Sequence, residues 1–396
     1  MVIATKIQTS LENASFIRKM FEEGERLRRE FGAENVYDFS LGNPEIEPPA
    51  EFKEALKKIA LEPISGMHRY MSNNGYAETR QAVAEVLAEE TGLPVNENHV
   101  VMTCGAGGAL NVVLKAILNP GEDVIILKPF FVEYKFYIDN HGGVFNEVAT
   151  NSQFGLDLAA IEAAISANTR AIITNSPNNP TGVVYSADSL AELGKLLEAK
   201  EKEYGHPIFL ISDEPYSKLV FDGLTVPSVF KYIKNSIMVT SHSKDLALPG
   251  ERIGYAAISP NIEEGAVLMG GLVFCNRTLG FVNAPALMQR LVAGLQRTKA
   301  NVANYQEKRD ILYDNLTKMG FKMQKPQGAF YLFPESPLKN DVEFVQKAQG
   351  HNILVVPGTG FGQPGYFRIS YSVDKDMILR SLPAFQALAN ELKNEM

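Results

Sequence analysis

Between Asn98 and Ile258, short apolar runs rich in β-branched residues recur: His99-Val-Val-Met-Thr103, Asp123-Val-Ile-Ile-Leu127, Arg170-Ala-Ile-Ile-Thr174, Ile208-Phe-Leu-Ile-Ser212 and Ser236-Ile-Met-Val-Thr240. None alternates apolar with polar residues as a strand with one wet face does, so these are strands covered on both sides. Between them, Ala109 to Ile117 and Ser189 to Lys202 repeat apolar residues at helical spacing, the second through Leu190, Leu193, Leu196 and Leu197. Buried parallel strands joined by helical crossovers define an α/β unit with a mainly parallel sheet covered by helices.

The C-terminal third changes pattern. A long helical stretch, Ala284 to Lys318, precedes the short strands Phe330-Tyr-Leu-Phe333, Ile353-Leu-Val-Val356 and Phe367-Arg-Ile-Ser-Tyr371, and a closing helix runs from Lys375 to Asn394. This is a smaller α+β domain. The N-terminal helix Ser15 to Phe31, with Glu22, Glu23, Arg26, Arg28 and Arg29 outward, is expected to pack with it. The domain boundaries expected are 47–295 for the large domain, with 1–46 and 296–396 together forming the small one.

Composition narrows the function. The 396 residues carry 38 Lys+Arg and 46 Asp+Glu, a formal charge of −8, with no basic cluster to hold nucleic acid. The apolar run Gly265 to Phe274 gives out at Cys275-Asn276-Arg277, short of the roughly 20 residues that span a bilayer, and reads as core. No membrane partner is expected. The segment Met1 to Met20 mixes Lys6, Glu12, Arg18 and Lys19 without the apolar stretch of an export signal, so a cytoplasmic location is expected. Two distant cysteines, Cys104 and Cys275, make no disulfide framework, and six histidines, none three or four residues from another, make no metal site.

Polar and glycine clusters follow the apolar runs. In open α/β sheets the ligand crevice lies at the carboxyl ends of the strands, where helix N-termini point free N–H groups. There stand Thr103-Cys-Gly-Ala-Gly-Gly-Ala-Leu110, whose amides at Ala106 and Gly107 can receive a phosphate; Asn175-Ser-Pro-Asn-Asn-Pro-Thr-Gly182; Asp213-Glu-Pro-Tyr216; and Ser241-His-Ser-Lys244 with Gly250-Glu-Arg-Ile-Gly254. Taken singly, each has an ordinary reading: a tight turn, a rigid loop, a helix cap, a solvated lysine. Together, two serines and Arg252 make a phosphate site, and a lysine beside them is a candidate Schiff-base nucleophile. Arg368, in a strand of alternating apolar residues, gains meaning only from the others.

The set resembles the class I and II aminotransferases, pyridoxal-phosphate enzymes of fold type I, over nearly the whole chain. The matching motifs are Ser-x-Ser-Lys with Gly-x-Arg-x-Gly at Ser241, Ser243, Lys244, Gly250, Arg252 and Gly254; Asn-x-Pro-x-Asn-Pro-Thr-Gly at Asn175 to Gly182; and Asp-x-x-Tyr at Asp213 and Tyr216. Weaker matches are Gly42-Asn-Pro44, Tyr70 before Gly75-Tyr76, the loop at Gly105, Phe131 after Pro129, and Phe367-Arg368.

The resemblance implies a sheet of the seven-stranded type, a homodimer, and transfer of the amino group of an L-amino acid to a 2-oxo acid, 2-oxoglutarate, by a ping-pong mechanism through pyridoxamine phosphate. It implies pyridoxal 5′-phosphate as cofactor, with Lys244 as Schiff-base residue and proton shuttle and Asp213 against the pyridine nitrogen. Asn179 and Tyr216 would bond the 3′-oxygen. Ser241, Ser243, Arg252 and the amides of Ala106 and Gly107 would hold the phosphate, joined by Tyr70 from the neighbouring subunit, and Phe131 would cover the ring. Arg368 would pair with the substrate α-carboxylate, with Gly42 and Asn179 close by. Gly107 stands where an aspartate-specific subgroup has a lysine, which leaves neutral, aromatic or differently read acidic donors. Two other outcomes share these motifs: a lyase that eliminates or decarboxylates, and a ligand-sensing regulator, for which the residues before Phe39 are too few to add a winged helix.

Overall fold

The structure is a computed structural model and describes residues 2–12 and 16–395. Helices α1 (Thr5–Glu12) and α2 (Phe16–Phe31) lead to a two-residue strand β1 (Tyr37–Asp38), then α3 (Ala50–Leu61) and α4 (Ala77–Thr91). The alternating region follows as β2 (Val100–Thr103), α5 (Gly105–Ile117), β3 (Asp123–Lys128), α6 (Glu133–Asn140), β4 (Val144–Ala149), α7 (Leu158–Ala164), β5 (Thr169–Asn175), α8 (Ala187–Tyr204), β6 (Phe209–Asp213), β7 (Ser236–Ser241), α9 (His242–Asp245) and β8 (Gly254–Ile258). The remainder is α10 (Gly265–Thr278), α11 (Ala286–Ala293), α12 (Val302–Met319), β9 (Tyr331–Leu332), α13 (Asp341–Gly350), β10 (Ile353–Leu354), β11 (Val356–Pro357), β12 (Phe367–Ser370) and α14 (Lys375–Glu395).

Seven strands form one sheet in the order β2-β8-β7-β6-β5-β3-β4. β3 to β7 run parallel, whereas β8 is antiparallel to both its neighbours. That reversal matters for the site: β8 begins where the parallel strands end, so Arg252, just before it, arrives at their carboxyl ends. The register aligns Asn175 with Asp213, and sets Gly254 beside both Thr103 and Ser241. Two buried apolar clusters cover the two faces, one including Val100, Ile125, Ile172 and Leu210, the other Val101, Val124, Ile173 and Ile211. A third joins the chain ends, bringing Leu27, Val36 and Phe39 against Tyr305, Leu312, Phe344, Phe367 and Phe385.

Two strands of the sheet carry no continuous branched-apolar run. β4 is an edge strand with Val144 and Phe145 exposed. β8 is Gly-Tyr-Ala-Ala-Ile, its opening glycine set by crowding: a Cβ on Gly254 would lie 2.3 Å from the Thr240 carbonyl. Other boundaries move for physical reasons. The helical stretch Ala284 to Lys318 breaks, because α11 stops at Ala293 and the Asn301 side chain caps a new helix by accepting from the Asn304 N–H. Ile353 to Val356 splits between two sheets, β10 beside β1 and β11 beside β12. The run Gly265 to Phe274 is core on one side only: in α10 Met269 and Leu272 are buried while Val267 is 70% and Phe274 56% exposed. The N-terminal helix is described from Phe16, Ser15 lying outside the described residues. Arg28 is turned toward β1, donating to Asp38 at 2.6 Å.

Candidate active site

Residues named from the sequence at widely separated positions line one cavity of about 300 Å³: Gly42, Ala106, Gly107, Phe131, Asn179, Asp213, Tyr216, Ser241, Ser243, Lys244, Arg252 and Arg368. It lies at the carboxyl ends of β5, β6 and β7, as the topology of an open α/β sheet requires. Tyr70 is not among the lining residues; it is 89% exposed on the surface.

Asp213 ends β6 and is buried. The Tyr134 hydroxyl donates to its Oδ2 at 2.6 Å, while Oδ1, equally buried, has no partner among the described residues. Burial pushes its carboxyl up to about 7, and the Tyr134 bond pulls the other way. The neighbouring Asn175 fixes the loop that follows β5. Its Nδ2 donates to the Asp213 carbonyl at 2.8 Å and its Oδ1 accepts the Asn179 N–H at 2.7 Å. One asparagine thereby ties two strand ends to the loop that carries Asn179.

Lys244 rides on the single turn α9, launched directly by the buried strand β7. Its Nζ donates to the Gly42 carbonyl at 2.6 Å. Burial lowers its pKa from the ordinary 10.5 to about 8, with the positive charges of Arg368 and Arg252 adding to the effect. A glycine at 42 is obligatory: a Cβ there would sit 2.0 Å from the Tyr331 hydroxyl, which itself meets the Tyr216 hydroxyl at 3.0 Å.

Arg368, on β12, is buried between the rings of Tyr331 and Phe361, at 4.6 and 4.8 Å. Its Nη1 donates to Asn179 Oδ1 at 3.0 Å and its Nη2 to the Ser40 carbonyl at 2.6 Å, leaving Nε without a partner among the described residues. Among the described residues no carboxylate pairs with it, so this buried guanidinium could accept an anionic partner.

At the opposite end, α5 begins at Gly105, four residues earlier than helical spacing alone suggests, so Ala106 and Gly107 form its first turn with free N–H groups. Gly105 has φ +73°, and a Cβ on it would come within 3.0 Å of Arg252 Nη2. Arg252 itself adopts left-handed φ of 52° and donates Nη1 to the Pro249 carbonyl at 3.0 Å. Ser241 and Ser243 complete this end. A helix N-terminus, two hydroxyls and a guanidinium are donors of the kind that a phosphate dianion accepts from.

Sequence reasoning gave no role to Tyr134, Asn175, Tyr137 or Tyr331, all of which line the cavity. Asn175 stood inside a quoted motif, Tyr331 inside a quoted strand, and Tyr134 three residues after Phe131, one helical turn along the same face.

A model of the family described as aminotransferase class I and II matches residues 34–385. The chain belongs to that family. It is an aminotransferase, an enzyme that moves an amino group between an amino acid and a 2-oxo acid. It is 30% identical over 356 residues to a probable aspartate aminotransferase of Methanocaldococcus jannaschii, covering 87% of this chain and 91% of that one. It is 32% identical over 354 residues to the aspartate/prephenate aminotransferase of Thermus thermophilus, covering 87% and 89%. Among solved structures, an amino transferase from Eubacterium rectale superimposes with TM-score 0.95 at 40% identity over 99% of both chains. The Thermus thermophilus aspartate aminotransferase with maleate does so with TM-score 0.86 at 27% identity, over 98% of this chain and 100% of that one.

Proposed function

We propose that this aminotransferase binds pyridoxal 5′-phosphate in the cavity and passes the amino group of an L-amino acid to 2-oxoglutarate in a ping-pong cycle. The observation that carries the reading is the pairing, in one cavity, of a lysine held near neutrality with a buried carboxylate that has one oxygen unsatisfied. The donor set fits the cofactor. A pyridinium N–H is the cation that Asp213 Oδ1 needs, and the cluster around the first turn of α5 suits its phosphate. When bound, the cofactor supplies a carbonyl that takes up the amino group and a ring that withdraws electrons from the substrate Cα.

The chain's own groups then have distinct tasks. With a pKa near 8, half of the Lys244 population is free amine at pH 8, against about one part in three hundred for an ordinary lysine. Lys244 is therefore both nucleophile and carrier of the Cα proton. Asp213 would hold a proton on the ring nitrogen. Tyr216 and Asn179 would donate to the ring 3′-oxygen, and Phe131 would cover the ring face. Ser241, Ser243, Arg252, Ala106 and Gly107 would bind the phosphate. Arg368 exchanges neutral acceptors, Asn179 Oδ1 and the Ser40 carbonyl, for the substrate α-carboxylate, a stronger partner for a fork of N–H donors. Gly42 lets the backbone come close to the substrate.

Relatives are named for aspartate and aromatic amino acids, which can give an amino group, and for prephenate, a 2-oxo acid that can receive one. Lys244, Arg252 and Arg368 are the only cations among the described residues that line the cavity, and each is already engaged. With no side chain at Gly107 to meet a distal carboxylate, we read the donor as a general L-amino acid. The exposed Tyr70 supports a homodimer in which it reaches the partner's phosphate site. The apolar cluster uniting both chain ends supports domains of 47–295 and of 1–46 with 296–396. Free Cys104 and Cys275 suit a reducing cytoplasm, and no described helix is long and apolar enough to cross a membrane.

A half-reaction screen tests the proposal. Protein loaded with pyridoxal phosphate should convert to the pyridoxamine form with several L-amino acids and recover with 2-oxoglutarate. Ammonia or pyruvate released without stoichiometric pyridoxamine would count against it.

A further inference from the structure

At the end of the cavity formed by the first turn of α5, several polar side-chain atoms have no hydrogen-bond partner among the described residues. Ser241 and Ser243 are more than nine-tenths buried, and neither hydroxyl makes a hydrogen bond among the described residues. Arg252 uses Nη1 alone, on the Pro249 carbonyl. Tyr137 lines the same cavity, and its hydroxyl too makes no hydrogen bond to any described residue. The first three belong to the proposed phosphate site; Tyr137 belongs to nothing yet described.

Its position follows from α6. Tyr134 and Tyr137 are three residues apart, so they share a face of the helix, displaced along its axis by about 4.5 Å. Tyr134 reaches the Asp213 carboxylate. Tyr137, one turn further, reaches Gly107 on α5: a Cβ built on Gly107 would be 3.1 Å from the Tyr137 hydroxyl. The phenol thus occupies the space into which a side chain at 107 would grow, directly over an N–H-bearing helix turn. Its electrostatic surroundings are mixed. Burial, Glu133 and Asp213 push the phenol up to about 12 while Arg252 opposes them, so it keeps its proton and can only donate to an anion near neutral pH.

We infer that Tyr137 is a phosphate-binding residue, its O–H donating to the cofactor phosphate seated beside Gly107, Ser241, Ser243 and Arg252. The inference rests on the cofactor reading above and adds a donor from α6, an element that otherwise serves the ring. It also gives the small residue at 107 a role: a Cβ there would crowd the phenol hydroxyl at 3.1 Å.

The test compares two ligands differing only in phosphate. Wild-type and Tyr137→Phe full-length protein, freed of cofactor, are titrated with pyridoxamine 5′-phosphate and with pyridoxamine, neither of which bonds covalently to Lys244. Loss of a hydrogen bond to a charged acceptor predicts roughly tenfold or greater weakening for the phosphorylated ligand. Pyridoxamine binding should be unchanged, and the ³¹P resonance of the bound phosphate should move. A second variant, Gly107→Ala, keeps the phenol but crowds it, and should show a smaller loss that is again selective for the phosphorylated ligand. Equal affinity of Tyr137→Phe and wild type for pyridoxamine 5′-phosphate overturns the inference while leaving the cofactor reading intact. So does an equal loss for both ligands, which would make Tyr137 a packing residue. Failure of the wild type to bind pyridoxamine 5′-phosphate overturns the cofactor reading and this inference together.

Discussion

Lys244 should make the cofactor-free protein less stable than it need be, by an amount that depends on pH. Its amine falls from the ordinary 10.5 to about 8 on folding. At about 1.4 kcal/mol for each tenfold change in proton affinity, that is at most about 3 kcal/mol, trimmed toward 2 by solvent reaching the amine through the cavity. The sign follows from proton counting. Between pH 8 and 10.5 the unfolded chain holds more protons at this group than the folded one, so stability rises with pH across that window. Below pH 8 the penalty is present in full. Lys244→Met keeps much of the side-chain volume and removes the amine, together with the hydrogen bond to the Gly42 carbonyl, worth about 1 kcal/mol at every pH. The variant should therefore be more stable than wild type at pH 7 by roughly 1 to 2 kcal/mol, and the advantage should vanish or reverse by pH 10.5. Urea unfolding of both proteins, stripped of cofactor at matched concentration from pH 6.5 to 10.5, measures the difference. A gap that stays constant across this range would refute the depressed lysine.

Three further outcomes are expected. Arg368→Gln should lower kcat/KM roughly a hundredfold or more for every amino acid alike, because it removes a charged fork; a loss confined to dicarboxylic substrates would move Arg368 to a side-chain role. Asp213→Asn should reduce turnover on the order of a hundredfold while leaving the fold intact by circular dichroism, since it removes the charge facing the ring nitrogen. Tyr134→Phe deletes the one side-chain bond that lowers the Asp213 pKa, so that pKa should climb above its value of about 7. The acid limb of the activity profile should then shift to higher pH, and an unshifted limb would show that Tyr134 does not control the carboxylate.

Much of the architecture was legible because it is written in long-wavelength patterns. The central strands β3, β5, β6 and β7 are buried on both faces, and burial forces the continuous apolar runs by which they are recognised. The edge strand β4 and the alanine-rich β8 lack that signature, one being half exposed and the other opening on Gly254, where the Thr240 carbonyl leaves no room for a side chain. The break before α12 depends on a single Asn301 cap within an otherwise helical pattern, a local choice that periodicity averages away. At the site, residues at fixed spacing around one strand end, such as Ser241, Ser243 and Lys244, declare themselves as a motif. Tyr134 and Tyr331 do not. Each is an aromatic among aromatics, and its hydroxyl acquires a role only when the fold brings Asp213 or Tyr216 to it across long stretches of chain.

The most direct measurement is reduction of the protein loaded with pyridoxal phosphate by borohydride, followed by peptide mapping. The geometry predicts a yellow protein that loses its visible band on reduction and yields one modified peptide, with the cofactor mass on Lys244. A label on any other lysine, or a protein that takes up no pyridoxal phosphate, would contradict the assignment of this cavity as the place where the amino group is transferred.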